Sequence, residues 1–183
     1  GDTAVTEDAA AGHDFLADVC RLWEAATAPA EEAGIRVAHL RTGIVLSPHG
    51  GALAKLLPLF KLGLGGRMGS GRQWWSWISL DDEVGAIRWL LDQEVAGPVN
   101  ATAPAPVTNA EMTRVLGTVL HRPTILPVPS FGPKLLLGGE LADSLLFTSQ
   151  RVLPGVLEEQ GYPFAHRDLE SALRALLDRP AAA

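Results

Sequence analysis

Between Gly69 and Asp82 the chain reads GSGRQWWSWISLDD, which sets a glycine-hinged cation, Arg72, beside three tryptophans and then opens a helix. An arginine supplies planar, charge-assisted donors to carboxylate or phosphate, and indole faces cover apolar or planar ligand parts, so the stretch reads as a ligand-facing loop. The charge map strengthens that reading. No Asp or Glu occurs between Glu32 and Asp81, whereas Arg36, Arg41, Lys55, Lys61, Arg67 and Arg72 all fall in the gap. An otherwise acidic chain therefore carries one purely cationic middle segment suited to an anionic small molecule. The plainer alternative is that the cations are solvated and the indoles are core. Trp77 leads into an apolar turn and is expected in the core. Trp74 and Trp75 are adjacent, so in an extended chain one is expected inside and one outside.

Acid–base candidates are few. His39 lies within an apolar run and reads as a satisfied buried histidine. His49 lies in the turn after that run, where ligands of open α/β sheets bind, and is the better candidate. His13, His121 and His166 fall in loops expected at the surface. Asp81 and Asp82 pair two carboxylates, but a helix start accounts for them through capping and the helix dipole. Glycine-rich dinucleotide turns, G-x-S-x-G elbows, P-loops and H-E-x-x-H are absent in the right context, and Tyr162 has no Lys four residues on. These residues do not assemble into a complete catalytic set, and the catalytic residues are left unassigned.

The elements that must position this loop follow an α/β rhythm. Apolar residues from Phe15 to Ala26 recur every three or four positions, predicting a helix over 14–28 that Pro29 and Gly34 stop. Residues 35–46, rich in β-branched types, predict a buried strand running past Gly43. A turn at 47–51, a short helix over 52–62 bent or interrupted at Pro58, and a five-glycine loop over 63–71 follow. Residues 77–80 predict a strand, and Ser79 with Asp82 a cap for a helix to about Gln93 whose apolar face is Val84, Ile87, Leu90 and Leu91. After a strand at 99–101, Thr108 and Glu111 form a capping box for a helix to Leu120. Beyond Pro123, short helices at 135–137 and 141–147, a segment over 151–160 and a helix over 169–177 suggest a smaller lobe.

With 183 residues, 47% of them hydrophobic and 20% charged, the chain has material for one sizeable core or two small ones. A net charge of −6 argues against a nucleic-acid binder. The single cysteine, Cys20, excludes an internal disulfide, zinc-type spacings are absent, and a cytoplasmic setting with no metal and no membrane span is expected. The polar start, Gly1–His13, has no initiator Met and no strand before it. It reads as a processed chain, a trimmed one or the downstream part of a longer protein.

The order of the blocks DFLADVCRLWEAA (Asp14–Ala26), LRTGIVLSPHGGAL (Leu40–Leu53), LPLFKLGLGGRMGSGRQWWSWISLDD (Leu57–Asp82), GPVNATAP (Gly97–Pro104), TNAEMTRVLG (Thr108–Gly117) and the closing QRVLPGVLEEQGYPF (Gln150–Phe164) resembles a known family. It is the atypical extended short-chain dehydrogenase/reductase (extended SDR) family, NAD-dependent epimerase/dehydratase-like, whose C-terminal segment is the domain of unknown function DUF1731; some members carry the label of cell division inhibitor. The resemblance implies the C-terminal part of a Rossmann-like sheet over 1–122, with a small, mostly α substrate lobe over 123–183. It implies that the complete protein binds NADP(H), with NAD the less favoured cofactor. Arg41, Thr42, Gly43 and Val45 would lie beside the nicotinamide end. Arg72, Gln73, Trp74 and Trp75, with His49, would face a small-molecule substrate. The family's usual W-I-H is here Trp77-Ile78-Ser79, so a role for that histidine does not carry over. Alone, the chain is expected to bind dinucleotide weakly or not at all. A non-catalytic binding protein and a vestigial product are the alternatives. Substrate, reaction and oligomeric state are not specified.

Overall fold

The computed structural model of the chain describes residues 1–13, 15–125 and 149–178. The three-and-four spacing after residue 14 does produce a helix, α1 (Phe15–Ala25), followed by α2 (Ala28–Glu32), which takes Pro29 in its first turn, where a missing N–H costs nothing. Gly34 then turns the chain at φ 77°.

The expected single strand over 35–46 is instead two strands with different partners. β2 (Ala38–Thr42) runs parallel to β6 (Gly97–Ala101), and β3 (Ile44–Leu46) runs parallel to β5 (Trp77–Ser79). The exchange happens at Gly43. Its N–H donates to the Ala101 carbonyl at 3.0 Å, and the next N–H, of Ile44, donates to the Ser76 carbonyl at 2.8 Å. A Cβ on residue 43 would stand 2.5 Å from the Ser76 carbonyl oxygen and 2.9 Å from Thr102 Cγ2, so the crossing needs glycine. Nor is this segment buried throughout: Ile35, Arg41 and Thr42 are exposed, and of residues 35–46 only Leu46 is buried.

Helix α3 (Gly51–Lys61) runs through Pro58 without interruption. The glycine loop after it does not stand open. Gly65 lies against the Phe60 ring, where a Cβ would come within 2.5 Å of Phe60 Cγ, Met68 is buried, and Gly71 abuts Ala110. Those glycines let the loop pack onto the core. β4 (Trp74–Trp75) pairs antiparallel with β7 (Val107–Thr108).

Both expected cap hydroxyls engage, but the Thr108 box is only half made, because the Glu111 carboxylate accepts from Arg114. The Ser79 hydroxyl accepts from the Asp82 N–H at the start of α4 (Leu80–Asp92), and the Thr108 hydroxyl accepts from the Glu111 N–H at the start of α5 (Asn109–Leu120). The polar start itself contains a short strand. β1 (Ala4–Val5) lies parallel to β8 (Arg151–Val152), and buried Glu7 accepts from the N–H groups of Asn100 at 2.9 Å and Val156 at 3.2 Å. α6 (Gly155–Glu159) and α7 (Leu169–Leu176) complete the described elements. The short helices expected at 135–137 and 141–147 lie outside the described residues.

Two cores result. One joins Leu46, Leu53, Phe60, Trp77 and Leu116 to Leu169 and Leu173; the other joins Leu90, Val99, Leu157 and Tyr162. Two apolar faces are left uncovered. α1 buries none of its described residues, with Phe15 78% and Trp23 74% exposed. On α4 the expected apolar face is buried only at Leu90: Val84, Ile87 and Leu91 are exposed, and the helix otherwise buries Asp82, Glu83 and Ala86. Among the described residues β2 has a strand on one side only. None of the described helices is long and apolar enough to cross a membrane.

Candidate functional site

At the carboxyl end of β2 the chain concentrates charge on both faces of the strand. Arg41 points toward α1 and is gripped by Glu24 at both ends, Nε to Oε1 at 2.7 Å and a terminal nitrogen to Oε2 at 2.8 Å. That fork-to-fork hydrogen bonding lowers the Glu24 carboxyl below its usual range and raises the Arg41 guanidinium. Across the strand, the Thr42 hydroxyl donates to Glu83 Oε1 at 2.9 Å. Glu83 is buried, its other oxygen has no partner among the described residues, and burial raises its pKa against the opposing pull of Thr42. Gly43 is pinned in the strand exchange, and Val45 is half-buried two residues on. The end of the strand thus presents a paired guanidinium and an exposed threonine beside a glycine pinned between Ser76 and Thr102.

The second cluster surrounds the tryptophan loop. Asp2, Ser70, Arg72, Gln73 and Ser149 line an open hollow of about 440 Å³. Trp75 is core, and Trp74 is half-buried, as adjacency requires. Trp74 acts as a bracket: its indole N–H donates to Asp2 Oδ1 at 2.9 Å and its backbone N–H to the Ser149 hydroxyl at 3.1 Å. The Arg151 guanidinium lies over its ring, 4.6 Å from the centroid. Gln73 is buried and donates to the Met68 carbonyl at 3.1 Å, so its amide is committed to the fold. His49 is exposed in the tight 47–50 turn and does not line the hollow.

The cationic segment is less free than its sequence implies. Arg41 is paired with Glu24, Arg36 donates to the carbonyls of Val95 and Leu91, and Arg67 donates to those of Gly69 and Ser70. The Arg72 side chain makes no such bond among the described residues.

The two clusters meet at Ser76. Its carbonyl holds the strand exchange at Gly43, and its hydroxyl donates to the Gln150 carbonyl at 2.8 Å and accepts from the Val152 N–H at 2.8 Å.

Sequence reading missed a third cluster. Asp82 does more than start a helix: its buried carboxylate accepts from the N–H groups of Ala165 at 2.7 Å and His166 at 3.0 Å and from the Ser79 hydroxyl at 2.9 Å. The His166 side chain, expected at the surface, is 13% exposed, with Nδ1 3.1 Å from Ser79 Oγ. Tyr162 donates to the Asp82 carbonyl at 3.0 Å, and burial, with Asp82 close by, pushes its hydroxyl up to about 12. The 162–166 segment is thereby clasped onto the start of α4. Glu83, Asp2 and Arg151 were likewise passed over. Of these only Glu83, a charge on the side of α4 that carries Ala86 and Leu90, left a periodicity signal.

Comparisons with known proteins agree with the expected resemblance. Residues 128–176 match the domain of unknown function DUF1731. An epimerase family protein of Mycobacterium bovis is 49% identical over 180 residues, which are 98% of this chain and 60% of that protein. The human epimerase family protein SDR39U1, solved with NADPH, matches with a TM-score of 0.86 at 33% identity over 97% of this chain and 60% of its own. A nucleoside-diphosphate sugar epimerase of Corynebacterium glutamicum matches with a TM-score of 0.77 at 40% identity, over all of this chain and 35% of its own. The chain spans about 60% or less of the length of these relatives. The fold is α/β, of the Rossmann-like kind that the extended SDR epimerases share.

Proposed function

We propose, on the premise that this chain is kin to the epimerase family proteins, that it is the substrate-side portion of an NADP(H)-binding, epimerase-like oxidoreductase acting on an anionic small molecule. One observation carries the reading. β2 ends in Arg41-Thr42-Gly43 beside a strand exchange, and the elements flanking it leave apolar faces, on α1 and α4, uncovered. In an open α/β sheet, ligands bind beyond the carboxyl ends of the strands. The uncovered faces are the seats that further α/β layers of such a protein would fill.

The residues present fit one side of a nicotinamide pocket. Gly43 is fixed in place by the strand exchange, Thr42 is an exposed residue whose hydroxyl is held by Glu83, and Arg41 is held rigid by Glu24. Val45 adds an apolar wall. A glycine-rich phosphate cradle is not among the described residues, so the pyrophosphate would be held elsewhere in the complete protein. The bound cofactor would supply hydride transfer; this chain's part is to orient and to exclude water. Arg72 supplies the positive charge for the substrate, and Trp74 braces that loop. Support for NADP(H) comes from the human relative solved with NADPH.

Titrating the complete protein with NADPH, followed by nicotinamide fluorescence, tests the reading. Saturable binding in the micromolar range is expected, with the 183-residue chain alone at least about tenfold weaker. No binding by the complete protein would overturn it.

A further inference from the structure

We infer that Glu83 is a positioning residue: by accepting the Thr42 hydroxyl proton it fixes Thr42 as a hydrogen-bond acceptor at the cofactor, and the group received there is a carboxamide N–H of the nicotinamide. The inference rests on the proposed function and names a contact by which that pocket sorts its ligands.

Glu83 is destabilising where it stands. It lies among the residues of α4 that are buried, with Ala86 and Leu90, and is itself 8% exposed. One of its carboxyl oxygens, Oε2, is buried without a hydrogen-bond partner among the described residues, and no described cation pairs with the group. A buried polar atom left unsatisfied weakens a fold, and a leucine would fill the same place without that penalty. Its other oxygen, Oε1, accepts from the Thr42 hydroxyl at 2.9 Å, across 41 positions of sequence. That bond is the one polar contact of the Glu83 side chain among the described residues. Buried ionisable groups kept at such a penalty concentrate at functional sites, and this one acts on its surroundings through Thr42.

The bond decides what Thr42 can do. A threonine hydroxyl has one proton and two lone pairs. With the proton directed at Glu83, lone pairs are what remain for an incoming group, and none of the described residues donates to Thr42 Oγ. Thr42 is exposed, and its neighbours are committed: Glu24 grips Arg41, and the Gly43 N–H donates to the Ala101 carbonyl. A nicotinamide has its N–H donors on the carboxamide nitrogen, while the carboxamide oxygen only accepts. A threonine held as acceptor takes the nitrogen and turns away the oxygen, which fixes which way round the carboxamide lies. A hydroxyl free to rotate takes either; Glu83 removes the choice.

The test measures binding of NADP+ and of its 3-acetylpyridine analogue, in which a methyl ketone replaces the carboxamide and no N–H remains, to the complete protein. The parent should bind NADP+ about tenfold tighter than the analogue, as one lost hydrogen bond with an acceptor left unpaired requires. Glu83→Leu should bring that ratio to about threefold or less, because the freed hydroxyl can donate to the ketone, while its urea midpoint stays at or above the parent's. In a Thr42→Val background, Glu83→Leu should leave the ratio where Thr42→Val puts it. A role in packing alone would move both ligands together and lower the midpoint. A parent ratio near one, or a ratio that Glu83→Leu leaves unchanged, would overturn the inference. Saturable NADP+ binding without this discrimination removes only the role of Glu83, whereas failure to bind either dinucleotide removes the proposed function as well.

Discussion

Replacing Asp82 with alanine should loosen the C-terminal segment from the rest of the fold, and the cost follows from three bonds. The carboxylate is 1% exposed and accepts from two backbone N–H groups, of Ala165 and His166, and from the Ser79 hydroxyl. Alanine leaves all three donors without that acceptor. At about 1 kcal/mol for each net hydrogen bond, plus roughly 0.5 kcal/mol for a negative charge lost from a helix start, Asp82→Ala should cost roughly 3–4 kcal/mol. In urea, with an m-value of about 2 kcal/mol/M, the unfolding midpoint should drop by roughly 1.5–2 M. Asp82→Asn keeps one acceptor oxygen and should recover about half of the loss. Amide exchange gives the local readout: Ala165 and His166 should exchange faster in the alanine variant by a larger factor than α5 does. A loss below about 1 kcal/mol, the level of an ordinary surface change, would refute the clasp.

Glu83→Gln tests the buried carboxyl. Because burial raises its pKa above the usual 4.5, the folded chain holds a proton that the unfolded chain gives up, so stability falls as pH rises through 4.5 and toward the raised value. The glutamine variant lacks that fall, and its stability relative to the parent should grow between about pH 4 and about pH 7; a difference constant across that range would contradict the assignment. Gly43→Ala should destabilise by about 3 kcal/mol in the same urea assay, because its Cβ would meet backbone and not a flexible side-chain end; a cost under about 0.5 kcal/mol would mean that the strand exchange yields easily. Thr108→Ala removes the hydroxyl that caps α5 and should cost about 1 kcal/mol.

What could be read from sequence was what is local. The caps at Ser79 and Thr108 appear where they were expected because each is decided within four residues, and the core placement of Trp77 follows from its apolar neighbours. The periodicity of α1 gives its helix but not what covers it. α4 misleads more: its apolar stripe of Val84, Ile87 and Leu91 points away from the described core, while Glu83 points in, bonded to Thr42 from 41 residues away. β1 is two residues long and exists only because Arg151 and Val152 lie beside it. The pinning of Gly43, the grip of Asp82 on residues 165–166 and the stacking of Arg151 on Trp74 likewise depend on partners far along the chain, which no window of sequence contains.

The central claim is that the carboxyl end of β2 borders the cofactor, and hydrogen–deuterium exchange of the complete protein with and without NADPH tests it most directly. Saturating NADPH should slow exchange at the amides of residues 42–45 well beyond the change seen in α7, which lies against α5. Unchanged exchange at those amides, under conditions where NADPH is shown to be bound, would contradict the placement and with it the role assigned to Thr42, Gly43 and Val45.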